Sequence, residues 1–415
     1  MRRRFERYVQ KVFHWPELTA LMSEGRRYPR HPWSKVFQAL FLGAACQMRS
    51  LREIEAACRS GCLSRRVGPI SDNTLVYALQ HQDAGELLML ACAVARRIKR
   101  NGLLRSRWSR GYVVVAVDGL ELCSSYARCC PACLKRRVEV SGDGKRRWRW
   151  QYYHRVVLAV VVSGPFPVPL ALRFQQPGES EAACAAALLE ELVRYLGRRY
   201  FDIVVADALY LQTPFTRRLE RLGLRWVLTL KDNQPDLAAT VERLCAGAPH
   251  GQQAVGEDQL QYWYWPQLYW PAADRSVSVL KTVRRCQRRR VVITEDDGGR
   301  RRQRQTVEEV TTNCWASNLE LGSIPPLFVY QLARSRWQID AQVFQTLTVD
   351  CHFKHAAAHQ DPALVVWTMI RLLAYTLTVL FYFRQVLSHR GRNTPPSLRA
   401  FAQSLRGTLP GLDTS

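Results

Sequence analysis

The sequence predicts an α/β protein: one central sheet with helical crossovers, a helical segment ahead of it and a β-rich segment inserted late. Three observations predict it. Residues 1–105 carry helical spacing. From Tyr112 on, short runs of Val, Ile and Leu alternate with helical stretches. Beyond residue 248 apolar and polar residues alternate with a period of two, until helical spacing returns at Leu327. Continuous β-branched runs mark strands buried on both faces, as in parallel sheets, whereas strict alternation marks a strand with one wet face.

In the N-terminal part, residues 34–48 and 51–59 are apolar-periodic. Ser71-Asp72-Asn73 then offers N-cap side chains ahead of a helix from Thr74. Two short helices across a Gly- and Pro-bearing turn suit either a helix-turn-helix or a plain bundle. The run 112–117 is the first strand, and it ends in Asp118-Gly119. A polar, Cys-rich loop is expected to about Gln151. Strands follow at 155–163 and 169–175, joined by the turn Gly164-Pro165. Residues 179–198 are helical, 201–206 form a strand ending in Asp207, 212–222 are helical, and the strand 225–230 runs into Lys231-Asp232-Asn233. The order β-β-β-α-β-α-β is that of the ribonuclease-H-like fold, whose first and fourth strands are neighbours, so Asp118 and Asp207 are expected at one edge of the sheet. The β-rich insertion has a hairpin turn at 295–299 and an aromatic cluster in which Trp263, Trp265 and Trp270 read mostly as core. The expected organisation is a helical segment 1–105, the first part of the core 106–247, the insertion 248–325, helices completing the core at 326–390, and a polar tail 391–415.

Charge narrows the function. The 415 residues are 47% hydrophobic, which supports a folded chain, and 60 Lys and Arg against 35 Asp and Glu leave a net charge of +25. Most of the excess is Arg, in runs such as Arg288-Arg289-Arg290 and Arg300-Arg301-Arg302. Guanidinium forks suit phosphate oxygens, so the expected partner is nucleic acid, and residues 1–105 are a candidate DNA-binding segment. Thirteen Cys without an N-terminal secretory segment read as a reducing, cytoplasmic setting at the nucleoid. The apolar stretch 363–383 is interrupted by Arg371 and has no companion span. It is read as a buried helix, with no membrane partner.

Two carboxylates at the ends of adjacent buried strands have a chemical use. A hard divalent cation takes oxygen ligands, and a pair of Mg²⁺ or Mn²⁺ ions can activate a water or a 3′-hydroxyl and stabilise a leaving oxygen in line. A lone Asp after a strand more often caps a turn; the matched pair in this strand order favours the metal-binding role.

The motifs sharpen this. Asp118-Gly119-Leu120-Glu121 resembles the first-aspartate block of the DDE transposases of cut-and-paste insertion sequences. Asp207-Ala208-Leu209-Tyr210 with Leu230-Lys231-Asp232-Asn233-Gln234 resembles their second block. Ala333-Arg334-Ser335-Arg336-Trp337-Gln338-Ile339-Asp340, followed by Phe344 and Leu347, resembles the third, and about 300 residues fit the family plan. The resemblance implies metal-dependent cleavage at transposon ends and transfer of 3′-hydroxyls into target DNA. It also implies double-stranded DNA partners (terminal inverted repeats and target) and a homodimer on paired ends. Asp118, Asp207 and Asp340 are then the catalytic, metal-holding acids. Arg334, Arg336 and Lys231 are candidate DNA contacts, and Trp315 either stacks on a flipped base or packs in the β segment. Trp337 reads as core. The chain departs from the family in having Asp340 where Glu is usual, Ala333 in place of Tyr, and Leu347 or Thr348 in place of Lys. Asp350, ten residues after Asp340, falls on another helix face. An active transposase, a transposase-derived DNA-binding protein with weakened or lost catalysis, and a nuclease on the same fold are the competing functions.

The Cys-rich loop holds Cys130-Pro131-Ala132-Cys133, half of a zinc pattern. A ligand set of Cys123, Cys130, Cys133 and His154 can be drawn, with no second closely spaced pair beside it. The same loop carries Lys145, Arg146 and Arg147 followed by Trp148-Arg149-Trp150, basic residues interleaved with aromatics that suit a DNA backbone.

Overall fold

The computed structural model describes residues 1–63, 67–142, 145–296, 299–384 and 397–406, and the side chains within them outside 141–145 and 289–305. In chain order the helices α1 (Arg2–Phe13), α2 (Trp15–Thr19), α3 (Trp33–Ala45), α4 (Leu51–Arg59), α5 (Asp72–Gln80) and α6 (Ala84–Arg100) come first. Strands β1 (Val114–Ser125), β2 (Leu134–Gly142), β3 (Lys145–Val161) and β4 (Val168–Phe174) lead to α7 (Glu181–Leu196), β5 (Ile203–Ala206), α8 (Thr213–Arg221), β6 (Arg225–Thr229) and α9 (Pro235–Leu244). Four more strands, β7 (Gly251–Val255), β8 (Asp258–Trp270), β9 (Arg275–Asp296) and β10 (Gly299–Ser317), precede α10 (Pro326–Ser335), α11 (Gln345–Val349), α12 (Ala363–Tyr382) and α13 (Leu398–Arg406). The chain divides into two compact units. One comprises Met1–Ser106, Val117–Tyr200 and Trp337–Ser415; the other comprises Arg107–Ala116 and Phe201–Arg336.

The first unit is organised on α12. Its apolar residues are buried nearly all round, as in a core helix, and it packs against α1, α3, α5, α6, α13 and β4. By length and composition α12 could cross a membrane, yet 94% of its most apolar window is buried inside the unit. Phe381 lies at the centre of an aromatic cluster, with ring centroids 5.5 Å from Phe5 and 5.8 Å from Phe401. Phe401 belongs to α13, which forms inside the segment read as a polar tail and buries Phe401, Ala402 and Leu405. The N-terminal helices start on capping side chains. Ser50 accepts from the Glu53 amide at 3.2 Å, Ser71 from Thr74 at 3.3 Å, and Asp83 from Gly85 at 2.7 Å. The α4–α5 pair is not a helix-turn-helix: residues 60–71 connect them, against a turn of roughly three to four residues in that motif. The helical spacing was visible, but it does not encode how the two helices are joined.

The first unit's strands also correct the sequence reading. The expected Cys-rich loop is largely a long antiparallel hairpin, in which β2 and β3 pair from Leu134↔Tyr153 to Gly142↔Lys145. Residues 147–150 alternate Arg with Trp, but Lys145-Arg146 before them and Gln151-Tyr152-Tyr153 after them break the alternation, so neither face is plainly apolar. Charge density hid the strand, although aromatic residues favour it. Beyond the hairpin β3 pairs antiparallel with β4, and α7 packs on both. β1 is a sheet neighbour of β3.

In the second unit, residues 114–116 of β1 run parallel to β5 in the register Val114↔Ile203, Val115↔Val204, Ala116↔Val205. β5 runs parallel to β6, from Ile203↔Arg225 to Ala206↔Leu228. The sequence order of strands and crossover helices thus gives the expected ribonuclease-H-like arrangement: an antiparallel β3–β4 connection, then parallel strands through α7 and α8. The β-rich insertion is not a separate sheet. β10 pairs antiparallel with β6 at Trp315↔Thr229, and β9, β8 and β7 extend outward from it.

Arg371 is the charge inside α12. It is 4% exposed, it donates to the carbonyls of His352 (2.8 Å), His355 (3.0 Å) and Arg49 (2.9 Å), and burial lowers its pKa to about 10. Its guanidinium also lies 4.6 Å from the Trp367 ring centroid. Removing the fork takes a hydrogen bond from each carbonyl; that of His352 keeps the His355 amide at 2.9 Å, and a carbonyl left unmet costs roughly 1–3 kcal/mol before relaxation. Arg371→Met is therefore expected to lower unfolding stability by about 2–4 kcal/mol, read as a shift of the urea midpoint at constant slope. An unchanged midpoint would mean that the fork does not tie these segments.

Candidate active site

Asp207 follows the last residue of β5 and opens a short 3₁₀ turn, Ala208–Tyr210. The loop after β6 grips that turn. The Asn233 side-chain amide donates to the Ala208 carbonyl at 2.7 Å, and the Gln234 amide donates to the Leu211 carbonyl at 2.8 Å. The second motif, Lys231-Asp232-Asn233-Gln234, therefore has a mechanical meaning: it clamps the backbone that carries Asp207. Lys231 Nζ stands 3.6 Å from Asp207 Oδ1. Partial burial alone would raise the Asp207 carboxyl. The Ala208 amide, the Arg336 charge and Lys231 outweigh it and hold the carboxyl below its ordinary range. Asp207 is thus ionised at neutral pH, with its side chain 39% exposed.

Asp118 is placed differently from the expectation. β1 does not stop there but continues to Ser125. What changes at Asp118 is burial. Up to Val117 the strand is buried on both faces; after it Leu120 and Leu122 are buried while Gly119 and Glu121 are half-buried. The end of the continuous apolar run looked like the end of the strand, when only one face had opened. Asp118 Oδ1 accepts from the Gly119 amide at 2.8 Å. Gly119 leaves room for its neighbour: a Cβ there would stand 2.5 Å from the Cδ of Glu181, which would have to shift. Glu181, in the first turn of α7, pairs with Arg155 at 2.8 Å and has a side chain only 12% exposed. It is a fourth acid beside the first motif. Its place in the sequence, after the N-cap Ser180, signals only a helix start.

Asp340 lies in a π-helical stretch, Ile339–Phe344, between α10 and α11. Ile339, Val343 and Phe344 are buried there and Asp340 is exposed. Of the two positions where the family Lys could fall, Leu347 is fully buried and Thr348 is half-buried. The core assignment of Trp337 is wrong: its side chain is 61% exposed. α10 ends at Ser335 and a turn intervenes before the π-helical stretch, so a helical phase carried through from α10 points to the wrong face. Arg334 is exposed, and its guanidinium donates to the Tyr330 hydroxyl at 3.0 Å; Arg336 is half-buried and acts electrostatically on Asp207.

Trp315 does not await a base. It is 5% exposed, paired across from Thr229, with its ring 5.9 Å from Tyr330 at 71°. A strand that joins the insertion to β6 buries this residue, and sequence gave no sign of that pairing. Of the aromatic cluster, Trp263 and Trp270 are buried and Trp265 is half-buried.

On the β2–β3 hairpin, Arg146 pairs with Glu139 at 3.3 Å and Arg147 is exposed; the side chain of Lys145 lies outside the described residues. Trp148 and Trp150 are 60% and 48% exposed, with Arg137 5.6 Å from the first ring and Lys135 5.6 Å from the second. Below the hairpin, Cys130, Cys133 and His154 come together as drawn from the sequence, but their fourth companion is His359. Cys123 lies outside the group. His359 is more than 200 residues from the others in sequence, so spacing carried no trace of it. Among the described residues this is the one cluster of His, Cys, Asp or Glu side chains already placed to share a metal ion.

A family model described as a transposase DDE domain matches residues 124–377, more than half of the chain. The matched stretch includes Asp207 and Asp340 and begins just past Asp118. A solved structure, the piggyBac transposase synaptic complex with hairpin DNA, is similar over 95% of this chain and 78% of that one, at 12% identity and a TM-score of 0.44. No curated protein matches the chain.

Two outcomes are expected of this geometry. Trp315→Ala is expected to cost about 3–5 kcal/mol of stability, as for a buried aromatic truncated to Ala, whereas Trp315→Phe leaves DNA affinity unchanged. A selective loss of DNA affinity in a stable Trp315→Phe protein would restore the stacking role. Lys231→Met is expected to move the Asp207 carboxyl upward, because burial then faces fewer opposing charges. A carboxyl-carbon NMR titration measures this, and an unmoved titration would remove Lys231 from the site.

Proposed function

The chain belongs to the transposase DDE family, DNA-cutting and strand-transferring enzymes, and within that activity we propose that Asp118, Asp207 and Asp340 are its metal-holding acids. The observation that carries this is the β1–β5 register. Val114 stands opposite Ile203 and Ala116 opposite Val205, and Asp118 and Asp207 each follow that last pair by two residues in sequence. Parallel strands buried on both faces hold their backbones rigidly, and a carboxylate just past the buried run is presented to solvent on a fixed support. The donor chemistry fits, since carboxylate oxygens are what a hard divalent cation takes.

The family works with divalent metal ions, and we assign two ions of Mg²⁺ or Mn²⁺ to the three carboxylates. When bound, they supply an activated water or 3′-hydroxyl and stabilise the leaving oxygen. The chain's own residues do the rest. Asp207 is kept ionised by the Ala208 amide and the Arg336 and Lys231 charges, so it needs no deprotonation before binding a cation. The Lys231–Asp207 pair is long, and Lys231 is 62% exposed. Such a pair contributes about 0–1 kcal/mol, so Lys231 is free to leave Asp207 for a phosphate oxygen. Arg334, Arg336, Arg146, Arg147 and Lys145 are the further candidate backbone contacts. We assign as partners the inverted ends of a mobile element and a target duplex, held by two copies of this chain, in the cytoplasm at the nucleoid. A catalytically weakened DNA-binding protein is the second reading, favoured by one observation: Asp340 is a methylene shorter than the Glu usual at that place.

Removing even a group that stands behind a metal ligand costs about 10–100-fold. Asp118→Asn, Asp207→Asn and Asp340→Ala are each expected to lower Mg²⁺- or Mn²⁺-dependent cleavage of element ends by about 100-fold or more, with DNA binding retained. Equal cleavage by wild type and Asp207→Asn would end the assignment. Asp340→Glu is the separating variant. A wild type without cleavage that gains it on Asp340→Glu establishes the weakened enzyme, and a wild type that already cuts establishes the active one.

A further inference from the structure

Three stretches of chain that are distant in sequence meet in one small cluster of the first unit. Cys130 and Cys133 stand in the turn just ahead of β2. His154 lies on β3, next to the hairpin's first pair Leu134↔Tyr153, and His359 precedes α12. One ligand atom from each lies within 4.8 Å of the others. The two sulfurs are 3.6 Å apart, His154 Nε2 is 3.5 Å from Cys130 Sγ and 3.3 Å from Cys133 Sγ, and His359 Nε2 is 3.4 Å from Cys133 Sγ. A tetrahedral zinc with Zn–S near 2.3 Å and Zn–N near 2.0–2.1 Å would set sulfur–sulfur at about 3.8 Å and sulfur–nitrogen at about 3.6 Å. These four separations are each slightly shorter than the corresponding zinc-site distance. The sulfurs are far beyond the roughly 2.05 Å of a disulfide. The two imidazole rings lie 5.2 Å apart with their planes inclined at 70°, so they do not stack on each other.

We propose that Cys130, Cys133, His154 and His359 bind one zinc ion, forming a structural site that pins the root of the β2–β3 hairpin to the segment leading into α12. Thiolate and imidazole select zinc over the hard cations that suit carboxylates, so this site is chemically distinct from the proposed catalytic one. Four protein ligands leave no open position, which marks it as structural. The turn already carries supporting bonds: the Cys130 amide donates to Cys133 Sγ at 3.3 Å and the Cys133 amide to the Cys130 carbonyl at 3.0 Å. The consequence is local. Cys133 and His154 flank the first rung of the hairpin, so the ion fixes where the exposed Trp148, Trp150 and their basic neighbours emerge.

The test uses the full chain, purified without chelator. Elemental analysis is expected to find about one zinc per chain, and replacing it with Co²⁺ is expected to give the intense visible bands of a tetrahedral thiolate site. His359→Ala is expected to weaken zinc binding by roughly 100-fold, and Cys123→Ser to leave it unchanged. His359→Cys guards against a variant that fails to fold, because it restores four ligands and is expected to retain zinc with stronger sulfur-to-cobalt bands. A chain free of zinc that does not take up Co²⁺ as a tetrahedral site overturns the proposal. So does unaltered zinc affinity in His359→Ala, or a Cys130–Cys133 disulfide found by mass in the native chain. None of these readouts depends on DNA cleavage.

Discussion

The side-chain amides of Asn233 and Gln234 reach from the loop after β6 to the carbonyls of the turn after β5, and the second acid depends on that grip. A carboxylate proposed to hold a metal, and here half-exposed, sits where backbone is ordinarily mobile. Parallel pairing of β5 with β6 fixes the strand up to Ala206, and the two amides carry the rigidity one turn further. The charges that keep Asp207 ionised act at that same place, so position and protonation state are set by one small neighbourhood.

The first acid rests on a different device. β1 changes from two-sided to one-sided burial at Asp118, and the absence of a side chain at Gly119 lets Glu181 close on the backbone beside it. A larger residue at 119 would displace the Glu181 carboxyl group. Glu181 is in turn neutralised by Arg155, so it does not add an uncompensated charge next to Asp118. Each acid of the pair therefore accepts the amide of the residue that follows it, yet the surroundings that hold the two are unrelated.

Elsewhere the chain handles its unusual charge by geometry. Arg371 is tolerated in the most apolar helix because three backbone carbonyls, from the segment before α12 and the end of the α3–α4 connection, converge on its fork. On the β2–β3 hairpin the excess goes the other way, into solvent, with Lys135 and Arg137 lying over Trp150 and Trp148. Packing over a ring face keeps the cation extended and the aromatic partly covered, which is the arrangement a phosphate backbone and its bases would meet. Beyond β6, three antiparallel pairs, from Trp315↔Thr229 to Ser317↔Val227, join the insertion's strands to the parallel ones.

Residue order alone settled what local physics encodes. The β-branched runs ending near Asp118 and Asp207, the crossover helices between them, the capping Ser residues and the block 231–234 were all legible, because a buried strand, a helix start and a turn each leave a periodic or compositional mark within a few residues. The hairpin of β2 and β3 was not, because its alternation is of charge with aromatics rather than polar with apolar. Trp315, for which stacking and packing were both open, is buried, and Trp337, expected in the core, is exposed. One is buried by a strand pairing, the other exposed by a break in helical phase, and neither leaves a local signature. The Cys-rich turn showed three of its four converging ligands. His359 came only from the fold, since a ligand sphere is closed by proximity in space, and nothing in 200 residues of intervening sequence records which histidine will arrive there.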